Sequence, residues 1–419
     1  MFDKFCILSL TYRSNGFITM LAPLRDHICP KDPMLSPLLG TTKERYLTRL
    51  SADVHPDRPG FEESKWITSE DLNVEHLLDV FTSIDTSSES IWDSCSGFIK
   101  CLYWHKPRLI ILGPKIEALT DNHPSKPQCL EELSLLFQLV GNFAEEKRLL
   151  THTLKLWRER GDDREVAGTL RYLSDTNRRL GLYEEGIKQA REASENFERL
   201  GETVGQARCL IDLAEALFDD GQLDAAGETA SRAIKLLSEK GEQHWVCIGH
   251  RVLGDIYRSK GDTERAIRHL EVSLGIASSL NLDDGLFWSH YTLARVFFED
   301  GRFDDAHAQV EHAKSHAVND RYPLACASKL QARFWKDQHR FEEAKSEALR
   351  ALDMFENLGA ANDAEDVRQL LGVIDDTFED MDGWVTADES GEDGEQLLEM
   401  VLLAVCINTM CSDGSTESE

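Results

Sequence analysis

Glycine stands at Gly141, Gly181, Gly221, Gly261 and Gly301, a strict spacing of forty residues that His339 continues two residues early. A second series, Gly161, Gly201, Gly241 and Gly359, runs about twenty residues out of phase, with Asn281 taking one place. Glycine and asparagine tolerate the left-handed backbone that closes a helix. The spacing therefore predicts a chain broken by a turn about every twenty residues, and self-similarity at such a period is the mark of a repeat architecture. The intervening stretches, such as VAGTLRYLSDTNRRL and ARCLIDLAEALFDD, place apolar or small residues at i, i+3, i+4 and i+7, the helical pattern. Each forty-residue unit is expected to be an antiparallel pair of helices of roughly four turns, about 25 Å long at 1.5 Å per residue.

The clearest unit is LGDIYRSKGDTERAIRHLEVS, with Leu253, Gly254, Tyr257, Gly261, Ala266, Leu270 and Ser273 at its fixed points. Equivalent points hold Leu213, Ala214, Gly221, Leu223, Ala226, Ala230 and Ala233, and then Leu293, Ala294, Phe297, Gly301, Phe303, Ala306 and Ala313. Ala332, Trp335, Phe341, Ala344, Ala348 and Ala351 repeat them again. This pattern resembles the tetratricopeptide repeat, lengthened to forty residues and without its closing proline. The fold expected is all-α, a right-handed superhelix of antiparallel helix pairs. Small residues let the helices approach and large ones fill the space beside them. The unit at Gly141 departs from the pattern, with Glu146 where a small residue belongs.

Residues 121–375 form the expected array, residues 41–120 an N-terminal helical layer, residues 1–40 a remnant or linker, and residues 376–419 an acidic, largely disordered tail. From residue 372 onward there are 14 acidic side chains and no Lys or Arg, a composition that cannot bury a core. The stretch from Ile18 to about residue 375, including MLAPLRDHICPKDPMLSPLLGTTKERYLTRL and LYWHKPRLIILGPKIEAL, is similar to the C-terminal half of fungal STAND proteins of the NACHT–tetratricopeptide type. In that family a nucleotide-binding switch and a winged-helix segment precede the repeats, which sense ligands. The resemblance does not extend to ATP hydrolysis: no GxxxxGK[ST] occurs, so the phosphate-cradling loop and its lysine are missing from this sequence. The expectation is either a truncated member of the family or a gene whose 5′ part is missing from this sequence.

Composition narrows the partners. With 75 acidic against 46 basic side chains the formal charge is −29, which disfavours nucleic acid and anionic membrane. Ten cysteines without a CxxC pair read as reduced thiols of a cytoplasmic protein. The opening stretch lacks a basic leader, and the apolar run from Leu397 to Cys411 contains Glu399 and is too short to span a bilayer, which takes about 20 residues.

No catalytic constellation converges, and no enzyme activity, cofactor or metal is expected. His312 and His316, with His307 nearby, have a spacing that can hold a metal, but no third ligand is in register and Lys314 lies between them. A solvated helix face is the expectation. Cys95, Cys101 and His105 do not share one helix face, and Trp288, Trp335, Phe297, Phe298 and Phe334 read as interhelix packing.

The candidate ligand surface is the groove that first helices line in tetratricopeptide arrays. In the family's register its positions are Gly168, Arg171, Asp175, Arg178 and Arg179, then Arg208, Ile211, Glu215, Phe218 and Asp219. The next are Ile248, Arg251, Asp255, Arg258 and Ser259, then Trp288, Tyr291, Arg295, Phe298 and Glu299, and last Cys326, Lys329, Arg333, Lys336 and Asp337. These hold ten basic and six acidic side chains. One reading is recognition of a protein or peptide with acidic segments, anchored by arginine and aromatic rings. The other is a surface whose charges pair with each other. The chain's own residues 376–399 could compete for such a groove. The expected function is a non-enzymatic, ligand-sensing interaction region of a STAND-type regulator. The alternative is a freestanding adaptor resembling kinesin light chains or co-chaperones, which a long heptad segment would favour and this sequence lacks.

Overall fold

The computed structural model describes residues 11–14, 17–20, 75, 78–79, 82–83, 85–105, 110–139, 141–317, 321–358 and 360–387. It divides into two compact units, Met1–Asp262 and Thr263–Glu419. The first begins with an antiparallel hairpin, β1 (Thr11–Ser14) and β2 (Phe17–Met20), in which Thr11 pairs with Met20 and Ser14 with Phe17. This hairpin lies in the segment expected to be a linker. Its strands flank Asn15-Gly16, the dipeptide that two-residue hairpin turns favour.

Among the described residues the first unit continues with α1 (Glu89–His105), α2 (Gly113–Ala118), α3 (Lys126–Leu139), α4 (Phe143–Arg160), α5 (Asp163–Arg179), α6 (Tyr183–Arg199), α7 (Thr203–Asp219), α8 (Leu223–Lys240) and α9 (Gln243–Ser259). The second unit holds α10 (Thr263–Leu280), α11 (Asp283–Glu299), α12 (Phe303–His316), α13 (Arg321–Asp337), α14 (Phe341–Leu358) and α15 (Ala361–Ala387). Within each unit from α3 onward every helix packs on its sequence neighbour. The first helices of successive pairs, α5, α7 and α9 in one unit and α11 and α13 in the other, also approach each other. Within each unit these first helices therefore share a face.

The turns explain this order. Gly141, Gly161, Gly181, Gly201, Gly221, Gly241, Gly261 and Gly301 all have φ between 69° and 80°, and Asn281 and His339 join them at 52° and 59°. At each of these ten positions the next residue donates its N–H to the carbonyl five residues back, as from Leu182 to Asn177 at 2.8 Å. This Schellman bond closes the helix. The same residue then begins the following helix, and the Asp162 carboxylate accepts from Glu165 N–H at 3.2 Å. A connector this short leaves only an antiparallel return. Gly359 lies outside the described residues.

Alanine lines the helix contacts: Ala226, Ala230 and Ala233 on α8, Ala266 on α10 and Ala344, Ala348 and Ala351 on α14 are all fully buried. Ahead of the repeats, α1 packs on α3 through a core that includes Trp92, Phe98, Ile99, Cys129 and Leu133. The final helix runs to Ala387, into the segment read from composition as disordered. Ile374, Phe378, Met381 and Trp384 recur there at helical spacing, which the count of acids conceals. The remainder of that segment lies outside the described residues. Among the described residues no helix is long and apolar enough to cross a membrane.

Two glycines on first helices should answer oppositely to alanine. A Cβ on Gly249 would lie 2.6 Å from Cγ1 of Ile234, whose β-branched side chain has little room to yield, whereas one on Gly168 meets nothing within 4 Å. Gly249→Ala should destabilise the chain by about 1–3 kcal/mol and Gly168→Ala stabilise it by about 0.5–1 kcal/mol, read as opposite shifts in thermal midpoint.

Candidate ligand-binding face

In the first unit the groove residues form a connected ladder of charge. Asp175 on α5 accepts from Arg178 at 2.7 Å, Arg179 at 2.9 Å and Gln138 of α3 at 3.2 Å. Arg178 reaches across to α7, bonding Asp219 at 2.8 Å and lying 3.6 Å from Glu215. Glu215 in turn accepts from Arg251 of α9 at 2.6 Å, and Arg251 meets Asp255 at 3.4 Å. Arg258 lies 3.5 Å from Asp255. Arg171 pairs with Asp212 at 3.3 Å and stacks over Tyr172 at 4.5 Å. Most of these side chains are less than one quarter exposed, so the pairs are less screened than ordinary surface ion pairs.

The protonation states follow the geometry. Burial pushes the Asp175 carboxyl up, but the Arg179 and Arg178 guanidiniums outweigh it and hold the group well below the usual carboxylate range. Glu215 is likewise held low: burial opposes, and Arg178 with Arg251 prevails. Asp212 goes the other way, up to about 6, because burial there outweighs Arg171. Two buried glutamates rise further through burial: Glu131, which accepts from Thr169 at 2.7 Å, reaches about 7, and Glu146 about 8. Both Glu146 oxygens lack a hydrogen bond of good geometry, and the charge of Asp175 adds to its rise while nearby Thr176 and Arg179 oppose it. The residue that interrupts the repeat signature is thus a carboxyl kept largely protonated beside the ladder.

Arg208 is the exception among these arginines. Its guanidinium lies over the Trp245 ring at 4.2 Å, its Nε is buried without a partner, and it bonds no carboxylate among the described residues.

In the second unit the sequence-derived positions separate into aromatic and basic groups. Trp288 stands edge-on to Phe287 and Tyr291, with ring centroids 4.8 and 5.5 Å apart, and Phe298 stacks on Phe334 at 4.0 Å. Trp288 and Tyr291 are half-buried. Lys329 is buried and turned to α15, bonding Asp363 at 2.7 Å. Arg295 is half-buried on α11, and Arg333 is exposed on α13. His290 lies against the rings of His312 and His316 at 5.3 and 5.9 Å. Among the described residues no group of three or more His, Cys, Asp or Glu is arranged to hold a metal. Cys95 is buried, its thiol pushed up to about 12 by desolvation, while the Cys101 and His105 side chains lie outside what is described.

Sequence register located the first-unit arginines but omitted Asp212 and Trp245. Asp212 follows the groove position Ile211, and the 41-residue offset to Arg171 was the available signal. With Asp212 included, six arginines of the first unit face five carboxylates. The surplus of positive charge inferred from groove positions alone is correspondingly smaller there.

Helix pairs closed by left-handed turns, with small-residue contacts and a shared first-helix face, define a tetratricopeptide-type repeat. The sequence profile of the MalT-like TPR region matches residues 131–368, and the chain belongs to that family. Among curated proteins no match is found. Among solved structures, a Rap protein complexed with Competence and Sporulation Factor is similar with TM-score 0.52 and 12% identity, over 81% of this chain and 98% of that one. A STAND protein with a tetratricopeptide repeat sensor, from Pyrococcus horikoshii, is similar with TM-score 0.51 and 13% identity, over 95% of this chain. The chain spans 59% of the length of that STAND protein. At these identities the likeness is one of fold.

Glu146 gives the face a pH signature. Its carboxyl titrates near 4.5 in the unfolded chain and about 8 when folded, so folding takes up a proton between those values and stability falls as pH rises through the window. That loss should reach about 1.4 kcal/mol per pH unit for this one group. Denaturant titrations from pH 5 to about pH 8 should show a shallower decline for Glu146→Gln than for the parent.

Proposed function

We propose that this chain is a non-enzymatic interaction and ligand-sensing repeat domain of a STAND-type regulator, working in the cytoplasm. It holds a peptide or protein segment against the first-helix face. The observation that carries this reading is the cross-helix ladder on α5, α7 and α9, in which arginines with planar forks alternate with carboxylates on one partly exposed face. Such a face offers fixed donors and acceptors to a polypeptide without a converging catalytic group. On its own first-helix face the second unit carries the half-buried Trp288 and Tyr291, aromatic anchor area of the same kind. The likeness to a Rap protein complexed with Competence and Sporulation Factor and to a STAND protein with a tetratricopeptide repeat sensor agrees in fold with that use. The net charge of −29 makes nucleic acid and anionic membrane poor partners. Acidic protein segments fit the arginines best.

Short random peptides selected on the full-length chain should yield binders that depend on the shared face. Phe218→Asp and Ile248→Asp, at half-buried first-helix positions of α7 and α9, should each weaken them by about tenfold or more, with Lys188→Glu on the exposed side of α6 neutral. Binders indifferent to both first-helix changes, or no binders, would contradict the proposal.

A further inference from the structure

We propose that Arg208, backed by Trp245 and flanked by Arg171, is a carboxylate-binding subsite that takes an acidic side chain or the free C-terminus of a bound peptide. This rests on the peptide-binding reading above and adds to it a defined anchor and its chemistry.

The first argument is an accounting of partners. Arg171, Arg178, Arg179, Arg251 and Arg258 each have a carboxylate within 3.5 Å. Arg208 has none among the described residues, and its buried Nε bonds nothing. The residue is half-buried, where an ion pair is screened less than at the open surface. An incoming carboxylate accepting from its terminal nitrogens would supply the partner its neighbours already have.

The second argument is preorganisation. Trp245 covers the guanidinium at 4.2 Å. Stacking occupies the face of the group and leaves its N–H bonds in the plane, where a carboxylate accepts two in parallel. The ring thereby fixes the fork before a ligand arrives, which reduces the ordering cost of binding.

The third argument concerns charge and space. Arg171 acts on Arg208 from α5, and after burial it is the largest influence making Arg208 less basic than usual. The other groups bearing on it are Tyr172, Asp212 and Cys209. Asp212 is already bonded to Arg171, leaving two guanidiniums to one carboxylate at this point. In the preceding repeat the register position of Arg208 is Gly168, where a Cβ would meet nothing within 4 Å. The ligand's own backbone can therefore come close to α5 beside the fork.

Peptides selected on the full-length chain test this directly. Each is synthesised with its acidic side chains intact or replaced by amides, and with a free or amidated C-terminus. Arg208→Met should weaken carboxylate-bearing peptides by about tenfold or more, and Arg208→Lys, which keeps charge but loses the fork, should recover part of that. Trp245→Leu should weaken them less. For peptides stripped of the responsible carboxylate the Arg208→Met loss should vanish, and which of the two replacements abolishes it identifies the source. If Arg208→Met leaves affinity unchanged while Ile248→Asp removes it, the subsite is wrong and the peptide-binding reading stands. If neither change matters, or no peptide is selected, both fall. Unchanged melting of the Arg208→Lys chain separates lost binding from lost folding.

Discussion

One backbone hydrogen bond organises the repeats: the N–H that follows each left-handed turn residue, donated to the carbonyl five residues back. It fixes where each helix stops, and because its donor also begins the next helix, it fixes where the chain restarts. Helix lengths of mostly 17 or 18 residues follow. So does the alternation of first and second helices, and with it the set of side chains that share a face. Arg171 meets Asp212, and Arg178 meets Asp219, because the two helices carrying them are punctuated in step.

Much of this was legible in the residues. A left-handed turn selects glycine for steric reasons alone, so the turns appear as a residue type at a spacing, and Asn281 and His339 hold the same conformation where glycine is replaced. Buried alanines such as Ala230 and Ala266 were legible for a similar reason: close helix approach admits few alternatives. The partners of the charged side chains were less accessible. Asp212 lies on another helix, 41 residues from Arg171, and pairs only once rotation about both helix axes is set. Trp245 sits three residues before the register position Ile248 and reaches Arg208 sideways, which a register of exposed positions does not encode. The hairpin at Thr11–Met20 has strands of four residues, too short for alternation to mark them, although Asn15-Gly16 stands between them. At the other end the last helix runs to Ala387, within an acidic stretch whose charge count hides apolar residues at helical spacing.

The charge of the face changes character when partners replace counts. Ten bases against six acids describe an attractive surface, but in the first unit almost every arginine is already engaged. A ligand there competes with internal carboxylates instead of filling an empty positive field. Affinity then depends on the difference between two sets of similar bonds, a regime in which geometry discriminates more than charge does. Glu146 and Asp212, with raised pKa values beside Asp175 held low, show neighbouring carboxyls driven to opposite states by burial and guanidinium contact.

The shortness of the connectors has a mechanical side. From α3 to α9 two or three residues locked by the same bond leave little slack between consecutive helices, so that run of the first unit offers no long loop to act as a hinge. Any response to an occupant must be absorbed as small sliding at many alanine-lined contacts at once, a shear spread over the stack. Strain imposed at one helix pair in that run would thus be passed to the next with little damping.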